Sequence, residues 1–438
     1  MRKLFTMMTL AVMALCLTAC SDKDDEVKLA DLTIQLTGIS DLSGFNVVLT
    51  NATTAASYTG TTTATGSVVF QVTPGVYNAT VSEIRYAEGY RYVYNGVASN
   101  ITLTADKGAT ATIELKEAKT SQVIIKELYN GGVLKDDGKS KFQYDKCVIL
   151  YNNTDVKASI TNLGFGMVAP ANSYANNKNY GTDGKLSYES AGFTPSWNGI
   201  CYYEGTIDIE PYSQVVINIH GAIDNTQTVS NSVNYANADY YCIYDPESGY
   251  NNTGYYPTPA SVIPTSHYLK AVRVGLGNAW ALSVGAPALF VFQAPDTNLN
   301  QYANNAENIW YDGGEEGSTV WACVKITNDW IFDGIEVFSN AYDDNLKRLT
   351  SDIDAGSVGL TNYLGHSLYR NVDKAATEAL AENAGKLVYN YSLGVDKSTD
   401  PSGIDAEASI KNGAHIIYMD TNNSTADFHE RQKCSLRN

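Results

Sequence analysis

The amino-acid sequence predicts an all-β protein of two sandwich modules, the second larger and carrying long loop insertions and a short helix. Three observations predict it. Short apolar runs alternate with polar residues or stand as unbroken stretches of four to seven, the patterns of half-buried and fully buried strands. Turn residues punctuate the runs at short intervals, as in Ala64-Thr65-Gly66 and Pro74-Gly75. One segment alone, 373–384, reads as a helix, with Asp373 able to cap it and Gly385 able to end it. The chain has 438 residues, 30 Lys+Arg against 47 Asp+Glu and a net charge of −17. That length allows two or three domains with substantial cores. The acidic balance leaves no surplus of cations to displace phosphate counterions, so no nucleic-acid partner is expected.

The first residues read as an address. Arg2 and Lys3 precede an apolar stretch, Leu4 to Leu17, that is too short for a comfortable membrane span. Leu17-Thr18-Ala19-Cys20 resembles the bacterial lipobox, which implies cleavage after residue 19 and lipidation of Cys20. An ordinary signal peptide with an incidental cysteine is the plainer alternative. Residues 20–27 form an acidic tether whose Ser21-Asp22-Lys23-Asp24-Asp25-Glu26 resembles the surface-export signal of Bacteroidetes lipoproteins. A solvated linker explains the same composition.

Residues 28–118 form the first module. Leu32, Ile34 and Leu36 alternate with polar residues, and further strands follow at Phe45–Leu49, Val68–Val72, Val76–Val81, Ile101–Leu103 and Ala109–Leu115. Thr65-Gly66-Ser67-Val68-Val69-Phe70 followed by Pro74-Gly75-Val76-Tyr77 resembles the carboxypeptidase regulatory-like, prealbumin-like domain. That resemblance implies an immunoglobulin-like sandwich serving as a spacer or interaction module.

Residues 121–438 form the second. Val123–Tyr129 and Tyr144–Asp155 resemble the opening strands of a lamin-tail-like domain. Ile149 stands where that family usually has an acidic residue. Trp330–Val337 and Asp420–Phe428 resemble its later landmarks. Across the whole chain the sequence is similar to Bacteroidetes surface lipoproteins described only by a domain of unknown function, which brings a location and an architecture without an activity. Between the landmarks, residues 172–259 are rich in Asn, Tyr, Gly and Ser and read as an insertion. Ser213–Ile219 within it reads as a strand.

Enzyme motifs break on inspection. Gly365-His366-Ser367-Leu368-Tyr369 lacks the closing Gly of a nucleophile elbow. His429-Glu430-Arg431-Gln432-Lys433 has Lys433 where a zinc-protease helix needs its second His. Gly275-Leu276-Gly277-Asn278-Ala279-Trp280 puts Trp280 where a dinucleotide turn needs a small residue. Asp333 and Glu336 can supply paired acids for a hydrolase, but a regular strand sends them to opposite faces. The five histidines are scattered, and His220, ending an apolar strand, reads as core. Cys147, Cys201, Cys242, Cys323 and Cys434 share no metal-type spacing and read as buried thiols, with one or two disulfides allowed outside the cytoplasm.

Two binding constellations remain. Asp296, Asn298, Asn300, Tyr302, Asn304 and Glu307 occupy positions 1, 3, 5, 7, 9 and 12 of an EF-hand-like loop, the oxygen spacing that calcium takes. Gln301 replaces the glycine of that loop, so calcium is a possible rather than a required cofactor. Tyr250, Tyr255 and Tyr256 fall in a turn-dense segment, and Trp310 with Tyr311 precedes Gly313-Gly314. Exposed aromatic faces there would stack on sugar rings or anchor a protein; the alternative is that they cover a half-buried sheet. The expected function is a non-catalytic outer-membrane lipoprotein, surface-exposed, that binds a nutrient, glycan or protein partner. The resemblance adds an accessory role beside a TonB-dependent transporter. A surface hydrolase and an adhesin or scaffold are the alternatives.

Overall fold

The computed structural model describes residues 28–87, 90–105, 107–294 and 296–437. The signal segment, Cys20 and the acidic tether lie outside the described residues. The described residues are mostly β, with four short α-helices of four to six residues among them. The described residues divide into two compact units, 28–83 with 94–116, and 84–93 with 117–437.

In the first unit Ala30–Thr37 pairs antiparallel with Ser67–Val72 and parallel with Ala109–Glu114. Asn46–Asn51 pairs with Ser57–Thr61 and Gly75–Ala87 in a second sheet. Alternate residues Leu32, Ile34, Leu36, Val47 and Leu49 are fully buried, the outcome of a period-two pattern with one wet face. A Cβ on Gly60 of the second sheet would meet the side chains of Val68 and Phe70 of the first, so the sheets pack face to face.

The second unit is built on one twelve-stranded sheet. In hydrogen-bonding order it runs Val358–Leu360, Ile331–Ser339, Ala288–Gln293, Leu163–Met167, Gly199–Tyr202, Tyr268–Arg273, Tyr241–Ile243, Gln214–His220, Lys146–Asn152, Val123–Tyr129, Ser367–Arg370 and Phe428–Arg431. Three of these strands lie within the segment 172–259 that the sequence suggested as an insertion, so that segment supplies the middle of the sheet. The sheet bends round until its two edge strands, Val358–Leu360 and Phe428–Arg431, lie together. One inner core results, with Ile125, Val148, Ile217, Phe165, Val291, Ile335, Leu360 and Phe428 all facing it. Closure of this kind removes exposed strand edges.

The outer face is covered as well. Phe193–Trp197, Ala322–Thr327 and Ile309–Tyr311 form a three-stranded sheet, and with helix Leu299–Asn304 they pack over Ile200, Val272, Phe290 and Phe292. Burial on both faces is why Val123–Tyr129 and Lys146–Asn152 are buried at every position and show apolar stretches without polar alternation, apart from Lys126, Glu127 and Lys146. The charges inside those runs are answered. Lys126 Nζ meets Glu407 at 2.7 Å and lies over the rings of Tyr151, Tyr369 and Tyr418. Glu127 accepts the hydroxyl of Ser367 at 2.5 Å. Gly164 and Gly166 lie opposite Phe292 and Phe290, and a Cβ on either would enter the facing ring.

The expected helix over 373–384 is shorter than its pattern. Asp373 caps it by accepting from Ala376 N, but the α-helix spans Lys374–Ala379, and Leu380 is extended at φ −70°, ψ 114°. A 3-10 turn follows, because Asn383 Nδ2 bonds Thr377 O and His415 O and draws the chain off the helical path.

Strand Ile331–Ser339 carries a carboxylate to each face. Asp333 accepts Ile125 N at 2.6 Å and is held by the Arg370 guanidinium, joining strands from opposite ends of the sheet order. Glu336, on the outer face, is fully buried with Arg348. Its oxygens accept Arg348 Nε at 2.9 Å, a terminal guanidinium nitrogen at 2.6 Å, Arg348 N at 2.7 Å and Leu349 N at 2.8 Å. Removing one member of such a pair strands the other charge and costs about 3–5 kcal/mol. Glu336→Leu should therefore lower the unfolding free energy read from urea denaturation by that amount, and adding Arg348→Met should recover most of the loss.

At the end of the sheet, Lys146 is buried and donates to Leu282 O at 2.5 Å. Burial lowers its ammonium to about 7, partly opposed by Asp145. Burial and Lys146 hold His220 well below the usual imidazole range. The folded chain thus releases the Lys146 proton near pH 7, whereas the unfolded chain holds it to about 10.5. The contribution of Lys146 to stability should therefore rise with pH across that window, by up to about 1.4 kcal/mol per unit. The buried thiols, held protonated in the fold, pull the other way above about pH 8.5, so the rise is read as a difference: in denaturation at about pH 7.5, 8.5 and 9.5 the stability of the wild type relative to Lys146→Met should climb.

Candidate functional site

Four chain segments leave the same end of the sheet and enclose a cleft of about 540 Å³. They follow Leu163–Met167, precede Ala288–Gln293, and follow Ile331–Ser339 and Val358–Leu360. The pairing directions of these strands put all four segments at one end. The cleft is lined by Tyr174, Tyr342, Tyr363, Asn172, Asn340 and Asn362, with Lys141 at its rim. Its volume lies in the range of small-ligand sites.

Tyr174 and Tyr342 stack at 3.9 Å between centroids and 18° between planes. Tyr342 is 49% exposed, so Tyr174 backs a ring whose other face is open. The stack is held from below by Asn345. Its Oδ1 accepts Ser173 Oγ at 2.5 Å and Ser339 N at 3.0 Å, while its Nδ2 donates to Tyr342 O at 2.6 Å. Arg348 reaches the same two segments. It is clamped by Glu336 and donates to Pro170 O at 2.9 Å. Two tyrosines far apart in sequence are thus fixed by one amide and one buried ion pair.

The asparagines are each half engaged. Asn172 Oδ1 accepts Ser283 Oγ at 2.5 Å and Ala286 N at 3.2 Å. Asn362 Nδ2 donates to Val284 O at 2.7 Å. Asn340 Nδ2 donates to Thr361 Oγ1 at 3.1 Å and Glu430 Oε2 at 2.9 Å. Among the described residues this leaves Asn172 Nδ2, Asn340 Oδ1 and Asn362 Oδ1 without protein partners, one donor and two acceptors in fixed positions. The wall carrying Ser283 is itself anchored by Asn130 Nδ2 on Ser283 O at 3.0 Å and by Lys146 on Leu282 O. Tyr363 has φ 63°, donates its N–H to Gly131 O at 2.8 Å and takes Lys141 Nζ over its ring at 4.3 Å. Burial raises the hydroxyls of Tyr174 and Tyr363 above their ordinary range, so both are neutral donors at physiological pH.

The aromatic residues singled out from sequence sit elsewhere. Tyr250 and Tyr256 are 1% and 5% exposed and belong to the inner core. Tyr250 donates to Asn198 O. The Tyr256 hydroxyl donates to Trp280 O at 3.3 Å and accepts Trp280 N at 3.2 Å. Their segment turns inward because those hydroxyls find backbone partners under the sheet, so the two rings offer no exposed face. Tyr255 is half-buried, edge-on to Tyr144 at 4.9 Å and His220 at 4.8 Å. Trp310 is half-buried against Tyr188 and Phe193. Tyr311 pairs with Ala322 in the covering sheet.

The calcium-like spacing falls across a helix. Asn298 caps Leu299–Asn304 by accepting from Gln301 N at 3.0 Å. Asn300 Oδ1 takes Asn304 Nδ2 at 3.2 Å, and the Tyr302 hydroxyl donates to Lys325 O at 2.8 Å. Asn300 and Asn304 share one helix face and bond each other, Tyr302 points away from them, and Asp296 and Glu307 lie outside the helix at its two ends. The six positions do not wrap one centre. Among the described residues no group of three or more His, Cys, Asp or Glu is placed to hold a metal ion. All five described cysteines are buried free thiols.

The tyrosines of the cleft escaped sequence reasoning. A signal was present in the repeated pairing of Asn with a following Tyr, at Asn172/Tyr174, Asn340/Tyr342 and Asn362/Tyr363.

Comparison with known proteins agrees with the architecture. No curated protein matches the chain. A crystal structure of a DUF4876 family protein from Bacteroides thetaiotaomicron VPI-5482, at 2.50 Å resolution, is similar in fold. It is 19% identical, with a TM-score of 0.53 over 91% of this chain and 94% of that one. Residues 210–435 match the family described as "Protein of unknown function (DUF4876)". With more than half of its length carrying that pattern, the chain belongs to the DUF4876 family.

Proposed function

We propose that the protein is a non-catalytic, lipid-anchored lipoprotein of the outer membrane that faces outward and binds a glycan in the Tyr342 cleft. In this reading Cys20 carries the lipid, the first unit is a carboxypeptidase regulatory-like spacer, and the second is a lamin-tail-like domain whose loops form the site. An accessory place beside a TonB-dependent transporter follows from the resemblance to surface lipoproteins.

The observation that carries the reading is the open face of Tyr342, set among half-engaged amides. A sugar presents an apolar C–H face and a rim of hydroxyls that both donate and accept. A backed tyrosine ring matches the first, and fixed amide donors and acceptors match the second. The rigid backing matters, because side chains already ordered lose little entropy on binding. Binding is preferred to hydrolysis because the two acids of strand Ile331–Ser339 are each committed to a buried arginine.

A glycan array probed with the full chain in detergent should give a defined set of bound sugars. Tyr342→Ala should weaken binding at least about tenfold, the worth of one good contact, and Asn345→Ala should weaken it less while leaving the fold intact. Binding unchanged in Tyr342→Ala would remove the cleft as the site. Metabolic labelling with a fatty acid should mark the wild-type chain and leave Cys20→Ser unlabelled; a labelled Cys20→Ser would end the lipoprotein reading.

A further inference from the structure

A second cleft, of about 760 Å³, opens beside the first at the same end of the sheet, and Tyr363 lines both. Its chemistry differs. Lys135, Lys433 and Arg437 line it together with the single acid Asp136. Asp136 is engaged, its Oδ1 accepting Ser230 N at 2.9 Å and Ser230 Oγ at 2.7 Å. Asp137, the neighbouring acid on that loop, is turned to Ser140 and Lys139, whose backbone N–H groups it accepts at 2.7 and 2.8 Å. The cations are not engaged in the same way. Among the described residues the ammonium groups of Lys135 and Lys433 have no hydrogen-bond partner. Arg437 makes one bond, to Asn231 Oδ1 at 3.3 Å. Its place depends on Gly365, where φ is 75° and a Cβ would stand 2.7 Å from the guanidinium.

Three cations in one recess are unexpected in a chain of net charge −17. Here Asp136 is bonded to Ser230 of a neighbouring segment and Asp137 to the backbone and hydroxyl of its own loop; Lys135 attracts Asp137 without bonding it, so the hydrogen-bonding capacity of the cations is left for the cleft. A guanidinium beside two ammonium groups recognises sulfate or carboxylate oxygens through charge-assisted hydrogen bonds.

Resting on the glycan reading of the neighbouring cleft, we propose that the ligand is an acidic oligosaccharide, with one sugar on Tyr342 and an anionic substituent of a nearby sugar in the Lys135–Lys433–Arg437 cleft. The shared wall at Tyr363 makes the two clefts one continuous subsite row. Sulfate and carboxylate are the two sources of the anionic group.

Three forms of one chain separate the outcomes: chondroitin sulfate oligosaccharides, the same chains desulfated, and the same chains desulfated with their carboxylates reduced. Titration into the full chain should show a charged form binding at least about tenfold tighter than the neutral one, as a charge-assisted bond is worth. The first form to lose that gain identifies sulfate or carboxylate as the group. Lys433→Gln and Arg437→Gln should each remove most of the gain and leave neutral binding unchanged, and so should Lys135→Gln, an exposed loop position where the fold is not at stake. High salt should shrink the gain alone. Equal binding of all three forms would overturn this inference while the glycan reading stood. A gain retained in all three variants would overturn the cleft assignment. No binding by any form at millimolar concentration would overturn both.

Discussion

The Glu336–Arg348 pair is the constraint on which the second unit's working end depends. Two charges taken fully out of water lose several kcal/mol of hydration each, and attraction alone does not return it. The deficit is met by saturation. Glu336 accepts two guanidinium and two backbone donors, while the other terminal nitrogen of Arg348 donates to Pro170 O and the one on Glu336 donates also to Val337 O. Each of these bonds fixes a piece of chain. The Arg348 and Leu349 N–H groups fix the return of the loop that carries Tyr342. The bond to Pro170 fixes the segment that leads to Tyr174. An apolar pair of equal volume would stabilise the core as well, but it would not direct two loops to one place.

The same strand explains how a twelve-stranded sheet avoids open edges. Asp333 faces inward and binds Arg370 and Ile125 N from strands at the far end of the sheet order. Glu430, on the last strand, accepts Thr361 N at 2.8 Å and Asn340 Nδ2 at 2.9 Å from the segments beside the first. Where the sheet meets itself, carboxylates reach across and accept backbone N–H groups. Buried N–H groups without such partners would be costly. The seam therefore serves closure and site together, since Asn340 and Thr361 border the cleft.

How much of this is legible in the sequence depends on the range of the interaction. The β character is legible because burial on both faces writes apolar stretches without polar alternation, as at Val123–Ile125 and Cys147–Tyr151. The cap at Asp373 is legible because a cap is local. The helix length is not, since the chain leaves the helix at Leu380 where Asn383 bonds Thr377 O and the distant His415 O. Segment 172–259 misleads because its strands are short and lie among turn residues, yet three of them sit at the centre of the sheet. The site is the least legible part. Tyr256 and Tyr342 look alike in composition. What separates them is whether the hydroxyl finds a backbone partner beneath the sheet, as at Trp280, or the ring is backed by another and left open. Tyr174 and Tyr342 meet only through Asn345 and Arg348, contacts that no local periodicity encodes.

Tyr363 shows what the arrangement costs and what it returns. A non-glycine residue at φ 63° is strained by roughly 1–2 kcal/mol relative to an ordinary backbone. Glycine would relieve that strain and would also remove the wall shared by the two clefts. The strain is offset locally by the N–H bond to Gly131 and by Lys141 over the ring, a contact of about 0.5–1 kcal/mol at an exposed site. Both offsets act on the side of Tyr363 that holds it in place, and neither engages its hydroxyl. Tyr363 is thus a strained backbone position whose ring is held on one side while its hydroxyl stays unengaged. One flank of it is aromatic and amide-rich with Lys141 at the rim, and the other carries Lys135, Lys433 and Arg437. The ligand proposed above would change character across this ring, from a stacked apolar face to an anionic group.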